Sequence, residues 1–406
     1  MHWAGMWENL WFVSYLGSGA LTWLAFWFFT FAGRRRMQLF EKPRPAPPGM
    51  PHVTILIPAK DEEGRIAACL RSVLSQDYGN FDVIAIDDRS VDGTGRVMDE
   101  LAAEDPRLSV IHIQEGTLGP GWTGKNNALF TGARQAKGEW LLFVDSDVIL
   151  QPPALSRSIA VAVFKEFDLL SLLPRLETHT IWESLLIPLC SATAGVMYLI
   201  ALNNSGQHKN ISFANGQFML MSRASYDAIG GHETVKDRFC EDTEIARLMK
   251  EKGLRPRVSW GAEFAAVRMY SSLGGIIKGW SRIYYAAKVG NPKHVLAAIY
   301  FVLTSCFTAY IALGYGIARV LHPAGNILDY AWVVAAGIHL AVMMFVLSCM
   351  YRWSKNSGWN ALLFPVAGPL LLWTLGKALI MCVTKKVEWR GTSYSHTMAQ
   401  SLIVKS

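Results

Sequence analysis

The stretch that decides the fold reads FDVIAIDDRSVDGT and spans residues 81–94. Its first six residues are mostly apolar, which is typical of a strand buried on both faces of a parallel sheet. The strand then ends in Asp87 and Asp88, and a polar turn with Asp92 and Gly93 follows. Ligands of open α/β sheets bind beyond the carboxyl ends of the strands. The stretch therefore predicts a strand that delivers carboxylates to a ligand site.

Segments with strand-like and helix-like patterns alternate on both sides of this stretch. Short apolar runs predict strands, and runs with apolar residues three and four apart predict helices. The predicted strands cover residues 53–57, 81–86, 108–113 and 140–144, and the predicted helices cover residues 62–76, 91–103 and 124–136. Such alternation is typical of an α/β domain with a parallel sheet and helices on both faces.

A second acidic turn follows the predicted strand 140–144. Asp145 and Asp147 flank Ser146, and carboxylates at positions i and i+2 of an extended segment point to the same side. Two carboxylates together with phosphate oxygens can hold Mg²⁺ or Mn²⁺ beside a nucleotide. Solvated loop aspartates are the competing interpretation. The position of the pair directly behind a buried strand favours a divalent metal site.

The composition indicates a membrane protein with one sizeable aqueous domain. Of the 406 residues, 17% are charged and 51% are hydrophobic, whereas an ordinary soluble domain has about 25% charged residues. Residues 9–33 carry no charge, and they are long enough to cross the ~30 Å hydrocarbon core. Arg34, Arg35 and Arg36 follow at once. The positive-inside rule therefore predicts an N-terminal transmembrane anchor that leads into the cytoplasm.

The region after the aqueous domain is apolar again. Residues 271–290 form an amphipathic, basic segment that suits the membrane interface. Residues 295–384 contain three apolar segments, and the last of them includes Pro369 and Lys377. We expect this last segment to be re-entrant or interfacial, which leaves the tail, residues 385–406, in the cytoplasm. Residues 185–202 form another apolar run, for which a core helix and an interfacial helix both remain open.

The net charge of +7 and the six cysteines limit the kinds of binding partner and the kinds of site that we expect. Anionic lipid headgroups account for the positive charge, so we expect no nucleic-acid partner. The cysteines are scattered along the chain without a C-x-x-C pair. They therefore predict neither a zinc site nor a disulfide framework, and they are typical of a reduced cytosolic domain.

Further motifs accompany the two acidic turns. In chain order the motifs are Pro58-Ala59-Lys60-Asp61-Glu62-Glu63, Asp87-Asp88, Gly124-Lys125, Asp145-x-Asp147, Asn215-Gly216-Gln217, Gly230-Gly231-His232 and Glu241-Asp242. With these motifs, residues 51–285 resemble the membrane-bound inverting glycosyltransferases of family 2, which have the GT-A fold with a mixed sheet. The stretch at residues 121–125 and the membrane layout look most like the lipid-acting branch, which includes ceramide glucosyltransferases and hopanoid- and carotenoid-associated glycosyltransferases.

The resemblance implies a metal-dependent glycosyltransferase. It would move a single sugar from a nucleotide-sugar donor, UDP-linked by this resemblance, to a hydroxyl of a membrane lipid, with Mg²⁺ or Mn²⁺ as cofactor. Its GT-A catalytic domain is expected at residues 51–270, on the cytoplasmic side of the plasma or inner membrane. Transmembrane or interfacial helices would flank this domain at both ends.

The resemblance also assigns roles to the acidic residues. Asp88 is expected to bind the uracil or ribose of the donor, and Asp61 or Glu62 is expected to line the same pocket. Asp145 is expected to contact ribose or metal. Asp147 is expected to be the principal ligand of the divalent cation on the diphosphate.

The remaining site residues are expected to act on the diphosphate and on the acceptor. Lys125 opens a predicted helix behind a Gly-rich loop, and both a cation and a helix N-terminus suit phosphate. By resemblance, Asp242 beside Glu241 is the general base that takes the proton of the acceptor hydroxyl. A capping role is the competing interpretation for both acids, because the helix dipole favours acids in a first turn.

One departure from the family pattern bears on the product. Many membrane members carry Gln-x-x-Arg-Trp after the catalytic domain, whereas this chain has Gly279 and Ile283 at the Gln and Trp positions. Arg282 is retained and is expected to hold the diphosphate, and Trp280 is a candidate for stacking on the acceptor. The departure argues against a processive polysaccharide synthase. Two further classes of protein remain open, a sugar nucleotidyltransferase and a non-catalytic membrane scaffold.

Overall fold

The computed structural model describes residues 2–40, 49–205, 208, 210–287, 290–322, 327–389 and 392–395. The strands are β1 (Val53–Ala59), β2 (Phe81–Asp88), β3 (Leu108–Ile113), β4 (Trp140–Val144), β5 (Val148–Leu150), β6 (Leu169–Leu173), β7 (Arg175–Leu176), β8 (Phe218–Ser222), β9 (Pro256–Trp260), β10 (Ala265–Val267), β11 (Lys386–Trp389) and β12 (Thr392–Ser395). Each of β1 to β4 begins at the residue that the apolar pattern predicts. Of the predicted tail, residues 390–391 and 396–406 lie outside the described residues.

The helices alternate with the strands in the central part of the chain and follow one another at both ends. They are α1 (His2–Ser18), α2 (Ala20–Arg36), α3 (Ile66–Leu74), α4 (Thr94–Glu104), α5 (Gly124–Gln135), α6 (Ala154–Phe164), α7 (Ile181–Met197), α8 (Arg223–Ala228), α9 (Gly231–Thr234), α10 (Glu241–Glu251), α11 (Leu273–Ala286), α12 (Pro292–Val302), α13 (Thr308–Val320), α14 (Ile327–Trp353) and α15 (Phe364–Thr384). α3 begins four residues later than predicted.

The main sheet has seven strands in the order β3-β2-β1-β4-β8-β6-β9. β3, β2, β1 and β4 run parallel, whereas β8 runs antiparallel to β4 and β6. The sheet is therefore mixed, and the predicted fold class is confirmed. Because parallel strands share a carboxyl edge, the acidic turns after β2 and β4 meet at one edge. Since β8 runs the opposite way, the residues before it reach that same edge.

Helices pack on both faces of this sheet. Every residue of β1 is buried, and its side chains alternate between two apolar clusters, with Ile55 and Ile57 in one and Leu56 in the other. α5 lies close against the face of Leu56. A Cβ atom at Gly132 of α5 would come within 2.8 Å of Leu56 Cδ2 and 2.9 Å of Ile86 Cδ1. This close approach sets the distance between α5 and the sheet. Lys125 lies in the first turn of α5.

The chain divides into two compact units. The sheet unit comprises Arg34–Glu177, Tyr198–Met269 and Tyr394–Ser406, and the helical unit comprises Met1–Gly33, Thr178–Met197 and Tyr270–Ser393. The apolar run predicted at residues 185–202 forms α7, which belongs to the helical unit and contains Pro188. A 3-10 turn, Ile200–Leu202, follows it.

Four stretches of helix within the described residues are long and apolar enough to cross a membrane. They are Leu10–Arg36, Pro292–Val320, Asp329–Trp353 and Gly358–Thr384. Buried polar contacts tie three of them together. Trp23 Nε1 donates to the carbonyl oxygen of Ser305 (2.6 Å), which lies in the π-helical turn Leu303–Phe307, and His339 Nε2 lies 3.0 Å from the same oxygen. These helices indicate that the protein associates with a membrane.

We predict that Gly132→Ala destabilises the sheet unit. The added methyl group would meet Leu56 and Ile86 in a packed core, and overpacking of this kind costs about 1–3 kcal/mol. The midpoint of thermal unfolding, measured on the purified protein in detergent, should fall. Gly274→Ala in α11 is the matched control, because a Cβ atom there meets nothing within 4 Å, and its midpoint should not fall. Equal midpoints for the two variants would contradict the packing argument.

Candidate active site

The predicted acidic residues of the sheet unit lie at the carboxyl edge of the parallel strands. Asp88 is the last residue of β2, and Asp145 and Asp147 lie in the turn between β4 and β5. α5 begins near the same edge. The Thr123 hydroxyl accepts the Asn126 N–H (3.3 Å) at the start of α5, which places Lys125 in the first turn.

Lys125 joins two carboxylates that are 96 residues apart in the sequence. Its Nζ lies 2.7 Å from Asp145 Oδ1 and 2.8 Å from Glu241 Oε1. The Glu241 side chain is buried, with 6% exposed, whereas Lys125 retains 37%. Burial alone would lower the pKa of Lys125, but the carboxylates of Asp145 and Glu241 outweigh it and hold this pKa well above the ordinary lysine value. Lys125 is therefore a stable positive charge at the centre of the site.

Asp242 is held by backbone N–H groups on both of its oxygens. Gly216 N–H donates to Oδ2 (2.8 Å) and Thr243 N–H donates to Oδ1 (2.6 Å). Burial raises the pKa of Asp242 to about 7, and the Glu241 carboxylate adds to the rise while Lys125 opposes it. A carboxyl with a pKa near neutrality is well matched to take up a proton during catalysis. Because Gly216 precedes β8, the contact also joins α10 to the sheet rather than only capping the helix.

Asp147 carries more negative charge around it than its neighbours neutralise. The pKa of Asp147 is raised to about 6, mainly by burial and then by the carboxylates of Asp145 and Glu62. The nearest cation is the guanidinium of Arg65, whose Nη1 lies 3.9 Å from Asp147 Oδ2. Crowded carboxylate oxygens of this kind suit a hard divalent cation. Among the residues that the structure describes, no group of three or more His, Cys, Asp or Glu side chains could hold a metal by itself. Asp145 and Asp147 therefore fit a metal whose remaining ligands come from phosphate and water.

The residues predicted to bind the nucleoside lie in two turns that are tied together. Asp61 has a left-handed backbone (φ +54°), its N–H donates to Ser90 Oγ (3.0 Å), and its Oδ1 accepts the Val91 N–H (2.8 Å). The Glu62 N–H donates to Thr94 Oγ1 (2.7 Å). The turn at residues 63–65 lies between these two residues and the start of α3 at Ile66. The hydrogen bonds fix both predicted pocket residues to the loop that follows Asp88.

Arg89 is a residue of this pocket that sequence reasoning did not identify. Its Nε and Nη2 lie 2.8 Å and 2.7 Å from the same oxygen of Asp88, Oδ1. Arg89 also has a left-handed backbone, with φ +58°, which disfavours a residue with a side chain. A Cβ atom at Gly124 would collide with the other Asp88 oxygen. The ion pair between Arg89 and Asp88 therefore forms with a strained backbone at Arg89 and with glycine at residue 124, the start of α5.

Asn126 is a second residue that sequence reasoning did not identify. It is fully buried, and its Nδ2 donates to the carbonyl oxygens of Val235 (2.7 Å), Lys236 (3.2 Å) and Arg238 (3.0 Å). This segment leads directly into Glu241 and Asp242. The Asn126 amide therefore fixes the segment before Glu241 and Asp242 to α5, the helix that contains Lys125. No local pattern in the sequence indicates such a contact.

Two predicted site residues belong to the helical unit. Trp280 and Arg282 both lie in α11, so they are not among the residues that the sheet unit brings together. Trp280 is buried, with its ring centroid 6.2 Å from that of Tyr284. A Cβ atom at Gly279, the position where many family members carry Gln, would collide with the ring of Tyr270. The space beside Gly279 is therefore filled by a tyrosine of the same unit.

We predict that Asn126→Leu strongly impairs the sugar-transfer activity that the family resemblance implies for this site. Leucine has a similar size but cannot donate to the three carbonyl groups, and each buried group left unsatisfied costs about 1–3 kcal/mol. The segment that positions Glu241 and Asp242 should relax, so transfer should fall by about tenfold or more, measured as labelled product under saturating donor. Asn127→Leu is the matched control and should stay within about twofold of the unchanged protein, since Asn127 is only partly buried. Equal activities of the two variants would contradict the role given to Asn126.

Comparisons with known proteins agree with this architecture. Residues 54–230 match the family model described as glycosyl transferase family 2. The 4,4'-diaponeurosporenoate glycosyltransferase of Staphylococcus aureus (strain USA300) is 26% identical over 361 residues, which cover 86% of this chain and 89% of that protein. The protein of the same name from Staphylococcus haemolyticus (strain JCSC1435) is 25% identical over 288 residues, which cover 69% of this chain and 73% of that protein.

A solved structure shares the fold. The mannosyltransferase PcManGT from Pyrobaculum calidifontis, in complex with GDP-Man and Mn²⁺, matches with a TM-score of 0.52 at 17% identity, over 91% of this chain and 99% of that chain. The predictions of the family, the fold class and the class of enzyme are confirmed. Residues 54–230 are a glycosyltransferase family 2 domain with a GT-A fold, and the chain that carries it is a glycosyltransferase.

Proposed function

We propose that the protein transfers a single sugar, with inversion, from a UDP-linked donor to a hydroxyl of a membrane lipid, and that Asp242 is the general base. The observation that carries this proposal is the position of Asp242. It is a half-buried carboxylate whose pKa is raised to about 7, and it directly follows Glu241, whose carboxylate shares Lys125 with Asp145. One cluster thus contains a group that can take a proton and a cation that suits a diphosphate.

The chemistry of the transfer follows from these positions. The acceptor O–H bond breaks and its proton passes to a carboxylate oxygen of Asp242 as the acceptor oxygen bonds to the anomeric carbon. The bond between that carbon and the diphosphate breaks, and its electron pair leaves with the diphosphate. Lys125 and the N-terminus of α5 stabilise the negative charge that develops there. A divalent cation held by Asp147 and Asp145 would supply further stabilisation of the leaving group.

The nucleoside is assigned to the pocket at the end of β2. Asp88 lies there with Asp61 and Glu62, which are hydrogen-bonded to the loop after β2. A second carboxylate nucleophile is not required, because inversion proceeds by direct attack of the acceptor.

The lipid acceptor is proposed from the membrane helices and the relatives. In the described part of the chain, four stretches of helix are long and apolar enough to span a bilayer, and two relatives are named as glycosyltransferases of diaponeurosporenoate. We place the sheet unit on the cytoplasmic side, because Arg34, Arg35 and Arg36 form the last turn of α2, at the end of the first candidate membrane span. The last apolar helix is proposed to be re-entrant, since it contains Pro369 and an exposed Lys377.

The proposal is tested with the purified protein, a native lipid extract, Mn²⁺ and a panel of isotope-labelled UDP- and GDP-sugars. Label in the organic phase is followed by mass spectrometry. A single low-mass lipid that carries one labelled hexose is the expected product. Long water-soluble labelled chains would show a polymerase instead, and no labelled product with any donor would overturn the proposal.

We predict that Asp242→Asn abolishes transfer and preserves donor binding. An amide cannot accept the hydroxyl proton, and loss of a general base lowers kcat by about 10²- to 10⁴-fold. The affinity for UDP, measured by calorimetry, should change by less than about twofold. Asp227→Asn, an exposed carboxylate in α8, should leave both quantities unchanged. Parallel loss of UDP binding and transfer in Asp242→Asn would argue against its assignment as base.

The pH dependence of the transfer provides a related prediction. Asp242 acts as base only when it is deprotonated, and its pKa is raised to about 7. The value of kcat should therefore rise with pH between about 6 and 8 and fall tenfold per unit well below 7. An exposed carboxylate of ordinary pKa would give a flat profile in that range, and a flat profile would contradict this role of Asp242.

We predict that Asp147→Asn removes the metal dependence of donor binding. The variant should bind UDP about tenfold more weakly than the unchanged protein in Mn²⁺, and addition of a chelator should cause no further loss. Asp227→Asn serves again as control and should respond to the chelator as the unchanged protein does. If Asp147→Asn keeps a chelator-sensitive affinity, another group holds the metal.

A further inference from the structure

The acidic edge of the sheet unit already contains a cation, Lys125. Its Nζ is within hydrogen-bond distance of both Asp145 (2.7 Å) and Glu241 (2.8 Å). The ammonium thus occupies one oxygen of a carboxylate that is also assigned to the divalent metal. Lysine side chains usually extend into solvent, whereas only 37% of the Lys125 side chain is exposed.

The reason for this arrangement is the balance of charge at the edge. Glu241 is buried, and a buried carboxylate without a cation is strongly unfavourable. Lys125 supplies that cation to Glu241 and to Asp145 at the same time. Arg65, at 3.9 Å from Asp147, is the nearest cation to the remaining carboxylate of the pair. The protein's own cations therefore offset part of the negative charge at this edge, and Lys125 is the one that pairs with Asp145.

The space around the ammonium is kept open by a glycine. A Cβ atom at Gly216 would lie 3.2 Å from Lys125 Nζ, 3.3 Å from Asp242 Oδ2 and 3.4 Å from Glu241 Oε1. Any side chain there would crowd the ammonium and both acids. Glycine at this position therefore keeps the space beside Lys125 Nζ free of a side chain.

We propose that Lys125 is a resident counter-ion that competes with the divalent metal for Asp145 and gives way only when the nucleotide diphosphate arrives. The proposal rests on the proposed function, because it uses the assignment of Asp145 and Asp147 to the metal. Two cations on one carboxylate repel each other, so metal binds weakly while Lys125 pairs with Asp145. The diphosphate offers Lys125 a new anionic partner and offers the metal further oxygen ligands. Metal and nucleotide then bind with positive coupling.

The competing explanation is that the Lys125 contacts are a fixed structural ion pair. In that case the metal uses only the oxygens that Lys125 leaves open, and removal of the ammonium gives the metal no advantage. The two cases differ in the affinity for metal in the absence of nucleotide. This quantity can be measured without any turnover.

The experiment uses the full-length protein in nanodiscs of phosphatidylcholine, whose zwitterionic headgroups limit adventitious Mn²⁺ binding. Free Mn²⁺ is measured by its electron paramagnetic resonance signal during titration, with and without UDP. In the unchanged protein, UDP should raise the affinity for Mn²⁺ about tenfold or more, within the usual range of coupling between sites. Lys125→Met removes the charge at similar size, and it should bind Mn²⁺ alone about tenfold more tightly than the unchanged protein does.

Two control variants test whether a change in Mn²⁺ affinity requires the loss of a positive charge, and whether that charge must be the one at Lys125. Lys125→Arg keeps a cation and should keep the weak affinity for Mn²⁺ alone. Lys236→Met removes a nearby positive charge that lies over the ring of Trp122, and it should not change Mn²⁺ binding. A Lys125→Met protein that binds Mn²⁺ alone no more tightly than the unchanged protein would overturn the proposal.

Misfolding of Lys125→Met and failure of the proposed function would each give a recognisable result. If Lys125→Met does not fold, as judged by thermal unfolding and gel filtration, the coupling in the unchanged protein decides, and equal Mn²⁺ affinity with and without UDP refutes the proposal. If no UDP binds at all, the proposed donor is wrong. The titrations with Mn²⁺ alone still decide whether Lys125 opposes the metal.

Discussion

The ion pairs of one lysine are the interaction on which the acidic edge depends. Carboxylates that are drawn together and partly buried repel each other and lose hydration. Lys125 offsets this by pairing with Asp145, which follows β4, and with Glu241, which begins α10. Without that ammonium, the same fold would have to protonate or separate these acids. The position of α5, fixed by the close approach of Gly132 to β1 and β2, is therefore also an electrostatic requirement.

The mixed topology of the sheet explains how the candidate base reaches this lysine. In a wholly parallel sheet, only residues that follow a strand would lie at the carboxyl edge. Because β8 runs antiparallel to β4, the residues just before it reach that edge instead. Gly216 lies there, and its N–H fixes one oxygen of Asp242. The reversal of a single strand thus supplies both the backbone donor for the base and the open space next to Lys125.

The local parts of this arrangement can be predicted from the sequence, and the long-range parts cannot. The starts of β1 to β4 and the acids that follow β2 and β4 are set by short apolar runs and the polar turns after them, which a pattern can detect. The amide of Asn126 binds carbonyl groups about 110 residues away, and no periodicity encodes that contact. Arg89 is missed for a different reason, because its left-handed backbone is disfavoured for its residue type and no sequence pattern indicates it. The proximity of Lys125 and Glu241 is likewise visible only in three dimensions.

The glycine at residue 279 is required by the packing of the helical unit. The ring of Tyr270 fills the space that a side chain at residue 279 would need, so the helical unit is packed for glycine at this position. An enzyme that extends a soluble polymer must hold its product while the next donor binds. A lipid product is retained by the bilayer itself, because each buried CH₂ group contributes about 0.8 kcal/mol to membrane binding. With the proposed lipid acceptor, the enzyme therefore does not need a residue that grips the product. The altered motif at residues 279–283 is compatible with the transfer of a single sugar to a molecule that the membrane retains.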